Sequence, residues 1–141
     1  MKSGVLQILD ASVALKWFLK TGENEGEVER AIEVLNAVEL NPALFVVPSL
    51  FYHETHAVLC RRLPTPKAVS EAMELLWHLG MHCVPWDPEI AQTAAELSFA
   101  WKLSAYDATY LAIAQELEGT WVTFDRKAHR QVSSLGLSAV P

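Results

Sequence analysis

The chain has 141 residues, 51% of them hydrophobic and 20% charged, which is long enough for one well-packed domain over residues 1–141 and too apolar for a disordered or low-complexity protein. Its 17 acidic and 11 basic residues give a net charge of −6. This acidic balance argues against a protein that is held to nucleic acid by diffuse positive charge alone.

Targeting and redox features are consistent with a soluble protein. Residues 1–9 do not form a secretory signal, and the uncharged run 40–52 is shorter than the roughly 20 residues that a membrane span needs. The two cysteines, Cys60 and Cys83, lie in apolar stretches typical of reduced, buried thiols. We therefore expect a cytoplasmic protein with no membrane association.

The first half of the chain alternates short apolar runs with stretches of helical periodicity. A polar loop with two glycines interrupts it over 21–26. The pattern predicts, in chain order, a strand at 5–9, a helix at 11–20, a helix at 27–40, a strand at 44–47 and a helix at 48–62.

Proline and glycine mark the element boundaries of the second half. Gly80 and Gly119 each follow a helical stretch, and Asp87 with Pro88 is a strong helix start, the aspartate as N-cap and the proline as first helical residue. The predicted elements are a helix at 67–79, a strand at 81–84, helices at 88–102 and 105–118, a strand at 120–124, a helix at 126–132 and a strand at 135–140. This alternation predicts an α/β fold, a three-layer sandwich whose mainly parallel central sheet is flanked by helices.

Two aspartates come directly after predicted strands. Asp10 follows the first strand, and Asp125 follows the strand at 120–124. Ligands of an open parallel sheet bind beyond the carboxyl ends of its strands, so both positions are candidates for a functional site. The structural alternative is that Asp10 caps the helix at 11–20 and that Asp125 complements the dipole of the helix it begins.

Two further acids lie on the apolar faces of helices. Glu54 lies about two helical turns past the second strand, and Asp107 heads the apolar stripe of the long helix. The structural alternatives are an ion pair of Glu54 with Arg61 or Arg62, and a capping box of Asp107 with Ser104. Four separate caps or pairs need not converge, whereas this topology brings all four acids to one end of the sheet.

Four clustered carboxylates repel one another unless positive charge lies between them. A site of oxygen ligands without Cys or His suits Mg²⁺ or Mn²⁺ better than zinc, and such ions support phosphoryl transfer through an activated water. We expect Asp10 and Asp107 to ligate the metal directly, and Asp125 and Glu54 to complete the site directly or through water.

Four segments of the sequence resemble one known family, and together they cover nearly the whole chain. They read ILDASVALKWF, VPSLFYHETHAVL, LSAYDATYLAIAQELEG and WVTFDRKAHR, starting at residues 8, 47, 103 and 121. The chain resembles the PIN-domain ribonucleases, and in particular the VapC toxins of prokaryotic toxin–antitoxin pairs. The resemblance implies a PIN-like fold, Mg²⁺- or Mn²⁺-dependent endonucleolytic cleavage of RNA, a homodimer and a cognate antitoxin.

The resemblance also assigns individual residues. The family's acidic quartet corresponds to Asp10, Glu54, Asp107 and Asp125. Thr123 matches a hydroxyl residue often found beside the last aspartate of the family. His56 departs from the family, which commonly has Asn two residues after the glutamate; a histidine at this position still forms hydrogen bonds, so we expect the site to be retuned rather than lost.

Three basic residues are candidate contacts for RNA phosphates. Arg126 and Lys127 follow Asp125 in sequence, and Arg61 lies beyond Glu54 on the same helix. The alternative is a solvated helix face. A second hypothesis for the whole protein is a catalytically silent PIN-like binding module that engages RNA or a partner protein through its acidic pocket.

Overall fold

A five-stranded parallel sheet forms the centre of the computed structural model, which describes residues 4–19 and 25–141. The strands are β1 (Gln7–Leu9), β2 (Phe45–Pro48), β3 (His82–Val84), β4 (Thr120–Val122) and β5 (Ser138–Ala139). Their order is β3-β2-β1-β4-β5, and every neighbouring pair is parallel. The predicted α/β fold with a parallel central sheet is therefore confirmed.

Helices connect the strands and flank the sheet. They are α1 (Ala11–Phe18), α2 (Glu25–Leu40), α3 (Ser49–Arg62), α4 (Pro66–Trp77), α5 (Pro88–Trp101), α6 (Ala105–Glu116) and α7 (Arg126–Val132), with 3₁₀ turns at Pro42–Leu44 and Ser133–Leu135. Several elements are a few residues shorter than predicted; β4, for example, ends at Val122. Of the predicted loop at 21–26, residues 21–24 lie outside the described residues, as does Lys20 of the predicted first helix, while residues 25 and 26 belong to α2.

The residues at helix ends explain where the helices begin and stop. The Asp87 carboxylate accepts a hydrogen bond from Ile90 N at 2.8 Å, which caps α5 as the sequence indicates. Thr65 caps α4 in the same way through Ala68 N at 3.1 Å. Gly80 has a φ of +81° shortly after α4, in the left-handed region that favours glycine.

The register of the sheet decides which side chains share a face. Ile8 pairs with Val46 and with Trp121, so these three side chains lie on one face. There the Trp121 ring stacks on Tyr110 of α6. Right-handed crossovers place α5, α6 and α7 on this face and α1 to α4 on the other.

The two cysteines are less buried than the sequence predicts. Both are free thiols, Cys83 is half-buried, and Cys60 is exposed. The prediction of a buried thiol is wrong for Cys60 because α3 buries Phe51, Thr55 and Leu59, and the next position points about 100° away from that face. Within residues 4–19 and 25–141, no helix is both long and apolar enough to cross a lipid bilayer.

The close contact between β1 and the start of β4 depends on Gly119. A Cβ atom at this position would lie 2.6 Å from Leu6 O and 2.6 Å from Ile8 Cδ1. The next residue, Thr120, donates its N–H to the same Leu6 O at 2.9 Å. A side chain at position 119 would therefore push apart the two strands that lead to Asp10 and Asp125.

We expect the substitution Gly119→Ala to lower the free energy of unfolding by about 1–3 kcal/mol, since the added methyl group overpacks a contact made partly by rigid backbone. Urea unfolding followed by circular dichroism measures the difference. An unchanged free energy of unfolding would show that β1 and β4 separate without cost.

Candidate active site

Asp10 lies directly after β1 and is the N-cap residue of α1. Its backbone N–H donates to Val122 O at 3.0 Å, which continues the pairing of β1 with β4 up to the aspartate. Its Oδ2 atom accepts a hydrogen bond from Ser12 N at 2.9 Å, and its Oδ1 atom accepts one from Trp121 Nε1 at 3.1 Å. Asp10 is only 8% exposed, and this burial raises the pKa of its carboxyl group.

Glu54 projects from α3 and is held by a tyrosine of α6. Its Oε1 atom accepts a hydrogen bond from the Tyr110 hydroxyl at 2.8 Å. The alternative ion pair with Arg61 or Arg62 does not form within the described part of the chain. Partial burial raises the pKa of Glu54, and the negative charge of Asp10 raises it further.

Asp107 lies in the first turn of α6, where the charges of the other three acids act on its carboxyl group. Ser104 caps the helix, its Oγ accepting a hydrogen bond from Asp107 N at 3.0 Å, which is one of the two bonds of the predicted capping box. The pKa of the Asp107 carboxyl group is raised to about 6, first by burial and then by the charges of the other three carboxylates, Asp10, Asp125 and Glu54. The four predicted acids therefore share one electrostatic environment.

Asp125 begins α7 as its N-cap residue. Its Oδ1 atom accepts a hydrogen bond from Ala128 N at 3.0 Å, so Asp125, like Asp10, serves a helix terminus and also faces the acidic cluster. Its own backbone N–H donates to Thr123 Oγ1 at 3.0 Å. The predicted supporting residue Thr123 therefore fixes the turn that carries Asp125.

A second hydroxyl, Ser12, ties α1 to the same turn. Ser12 Oγ accepts a hydrogen bond from Phe124 N at 3.0 Å and lies 3.4 Å from Thr123 Oγ1. The two hydroxyls thus join the segment after β1 to the segment after β4. Sequence reasoning missed Ser12 as a site residue; its position two residues after Asp10, in the first turn of a helix, is the pattern that indicates it.

His56 lies away from the carboxylates. It is exposed on α3, and its Nε2 atom lies 3.5 Å from Cys60 Sγ. No hydrogen bond joins His56 to any of the four acids in the described structure. A direct supporting role at the acidic cluster is therefore not visible in this conformation.

The three candidate phosphate contacts are exposed. Arg126 and Lys127 form the start of α7, next to Asp125, and Arg126 Nη2 lies 3.9 Å from Glu27 Oε2. Arg61 comes seven residues after Glu54 on α3, about 10 Å further along the helix axis. None of the three neutralises the acidic cluster by an ion pair.

The cluster has the donor chemistry of a divalent cation site. The four carboxylates offer only oxygen ligands, and no described basic residue pairs with them. Among residues 4–19 and 25–141, no three acidic, histidine or cysteine side chains are gathered tightly enough to hold one ion by themselves.

The raised pKa of Asp107 predicts how stability depends on pH. Burial and the neighbouring carboxylates raise the pKa of its carboxyl group from the ordinary value of 3.8 to about 6 in the folded chain, so the folded state loses stability as pH rises through this interval. We expect Asp107→Asn to raise the free energy of unfolding at pH 7 by about 1–2 kcal/mol, less than the full shift implies because the carboxylate is partly exposed. Urea unfolding at pH 4 and pH 7 measures this difference.

Asp87→Asn is the matched control, because Asn also caps helices and the charge of Asp87 is not among those that act on Asp107. At pH 7 it removes a carboxylate that lies outside the cluster, so it should not raise the free energy of unfolding as Asp107→Asn does. An Asp107→Asn variant that is less stable at pH 7 would contradict the electrostatic account.

Comparison with known proteins identifies the family. The PIN domain family matches residues 8–134, which is most of the chain. Comparison with curated proteins gives no significant sequence match.

Several solved structures share the fold at low sequence identity. A toxin–antitoxin complex from Klebsiella pneumoniae has a TM-score of 0.68 at 16% identity, with 95% of each chain covered. Mycobacterium tuberculosis VapC20, described as a toxin that cleaves the sarcin–ricin loop, has a TM-score of 0.70 at 16% identity, covering 93% of this chain and 95% of that one. FitAcB from Neisseria gonorrhoeae has a TM-score of 0.68 at 18% identity, with 96% of each chain covered. The sequence match and the shared fold agree: the chain belongs to the PIN domain family.

Proposed function

We propose that this PIN-domain protein is a Mg²⁺- or Mn²⁺-dependent endoribonuclease and the toxin of a toxin–antitoxin pair. The observation that carries the proposal is the cluster of four carboxylates at the carboxyl edge of a parallel sheet, where the charges of Asp10, Asp125 and Glu54 act on Asp107. No described basic residue forms an ion pair with any of the four. Such a site attracts a cation and repels a phosphate. A bound cation would offset this repulsion and allow the phosphate to approach.

The four acids have distinct roles in this proposal. Asp10 and Asp107 hold the ion directly, and Glu54 and Asp125 complete the site directly or through water. When bound, the ion activates water as a nucleophile and neutralises negative charge at the phosphate. Asp10 and Asp125 each use one oxygen for a helix cap bond from a backbone N–H, which fixes the carboxylates before any ligand arrives.

The remaining residues of the proposal support the acids or hold RNA. Thr123 keeps the Asp125 turn in place through its 3.0 Å hydrogen bond. His56 is exposed and makes no hydrogen bond to the four acids, so its proposed effect on the site is indirect, from its place on α3 two residues after Glu54. Arg126 and Lys127 are exposed beside Asp125, where they would bind the phosphates that flank the cleaved bond, and Arg61 would bind RNA further along α3. The Arg126 side chain is 51% exposed although Glu27, 3.9 Å away, is only 14% exposed, so the guanidinium keeps solvent-facing N–H donors for this role.

The partner of the proposed toxin is a cognate antitoxin, and we propose that the toxin itself is a cytoplasmic homodimer. A related fold occurs in the toxin–antitoxin complex from Klebsiella pneumoniae. Large apolar side chains are exposed on the described surface, among them Trp77 at 61% and Phe99 at 89%. We propose these two side chains as candidate contacts with the antitoxin or with the second copy of the chain.

The first test is cleavage of host RNA by the purified protein in Mg²⁺, Mn²⁺ or EDTA, with new 5′ ends mapped by sequencing. We expect discrete ends that require a metal. Asp107→Asn should reduce cleavage by about a hundredfold or more, since the loss of several kcal/mol of transition-state stabilisation corresponds to that factor.

Asp87→Asn again provides the control, because it makes the same chemical change outside the acidic cluster and should cleave like the unsubstituted protein. Cleavage that persists in EDTA or in Asp107→Asn would contradict the proposed site. RNA that stays intact under every metal condition would favour the alternative, a catalytically silent PIN-like module that binds RNA or a partner protein.

A further inference from the structure

Two buried aromatic residues lie beneath the acidic cluster and donate hydrogen bonds into it. Tyr110 and Trp121 are both fully buried, and their rings stack with a centroid distance of 6.2 Å and an interplanar angle of 18°. The Tyr110 hydroxyl donates to Glu54 Oε1 at 2.8 Å, and Trp121 Nε1 donates to Asp10 Oδ1 at 3.1 Å. The only polar atom of each side chain is thus used on a carboxylate of the site.

This choice of acceptor is not required by burial alone. A buried tyrosine or tryptophan needs a hydrogen-bond acceptor, and a backbone carbonyl is sufficient. The half-buried Trp17 uses such an acceptor, because its Nε1 atom donates to Ala31 O at 2.7 Å. Tyr110 and Trp121 instead donate to carboxylates, which makes both bonds charge-assisted and stronger than a bond to a carbonyl.

The pair also connects all four elements that carry the acids. Tyr110 lies three residues, or about one helical turn, after Asp107 on α6, and it reaches Glu54 on α3. Trp121 lies on β4, which leads to Asp125, and it reaches Asp10 at the end of β1. Stacking of the two rings therefore connects the Tyr110–Glu54 pair to the Trp121–Asp10 pair.

We propose that Tyr110 and Trp121 are positioning residues that fix the carboxylates of Glu54 and Asp10 for the divalent cation. The inference rests on the proposed function, since it concerns the same site. Trp121 occupies Oδ1 of Asp10, whose Oδ2 accepts the Ser12 N–H, so both oxygens of this carboxylate are fixed; Tyr110 occupies Oε1 of Glu54. The other oxygen of Glu54 has no hydrogen-bond partner in the described structure, so it is available as a ligand.

The test is the affinity of the full chain for Mn²⁺ alone, measured by isothermal titration calorimetry. Tyr110→Phe removes a single oxygen atom and keeps the ring stack. We expect this variant, and Trp121→Phe, to bind Mn²⁺ about 10- to 100-fold more weakly, the usual cost of losing a partner that orients a metal ligand.

The chain offers a matched control for each variant. Tyr52→Phe removes a hydroxyl from a half-buried tyrosine that packs on Trp77, away from the cluster. Trp17→Phe removes an indole donor whose acceptor is a backbone carbonyl. Both controls should bind Mn²⁺ within about twofold of the unsubstituted chain. A Tyr110→Phe variant with unchanged affinity would overturn the proposal, as would an equal loss in the controls.

Two further results separate this inference from the proposed function. If Trp121→Phe fails to fold because its core is underpacked, Tyr110→Phe alone decides the outcome, since its volume is nearly conserved. If the unsubstituted chain does not bind Mn²⁺, the proposed function fails, and crystal structures of the metal-free chain and of Tyr110→Phe test the positioning directly. A displaced Glu54 carboxylate in the variant supports the role of Tyr110, and an unmoved one overturns it.

Discussion

Four carboxylates repel one another at the carboxyl edge of the sheet, and the backbone hydrogen bonds of the fold hold them close together in spite of this repulsion. The backbone of Asp10 is hydrogen-bonded to β4 at 3.0 Å, so the aspartate cannot retreat without breaking the β1–β4 pairing. Asp125 is fixed by Thr123, and the Gly119 contact keeps the two strands close. Burial first and then the charges of the other three acids raise the pKa of Asp107.

At this edge of the sheet, the same hydrogen bonds cap two helices and hold two carboxylates of the candidate site in place. Asp10 and Asp125 accept backbone N–H bonds at the starts of α1 and α7, as an ordinary structural interpretation requires. Each carboxylate has further lone pairs that a cap does not use. Capping therefore stabilises the helix and also immobilises the acid, which explains how the fold tolerates charges that would otherwise weaken it.

The sequence predicts the elements and the acidic edge well because both depend on local pattern. Helical periodicity gives the helices, and the parallel topology places the residues after β1 and β4 at one edge. The partner of Glu54 is not predictable in this way, since Tyr110 lies 56 residues further along the chain and reads as part of an apolar stripe. The exposed Cys60 is a similar case, because only the orientation of α3 decides which neighbour of Leu59 faces solvent.

The same electrostatics constrain how the proposed RNA would approach. A phosphate moving toward the acidic edge meets negative charge from the cluster and from a chain of net charge −6, so attraction must come from nearby cations. Arg126 and Lys127 occupy the first turn of α7, where positive charge opposes the helix dipole and gives the helix no stability. The Asp125 cap offsets that cost. Basic side chains are thus tolerated beside the acids, at the place where a phosphate would need them.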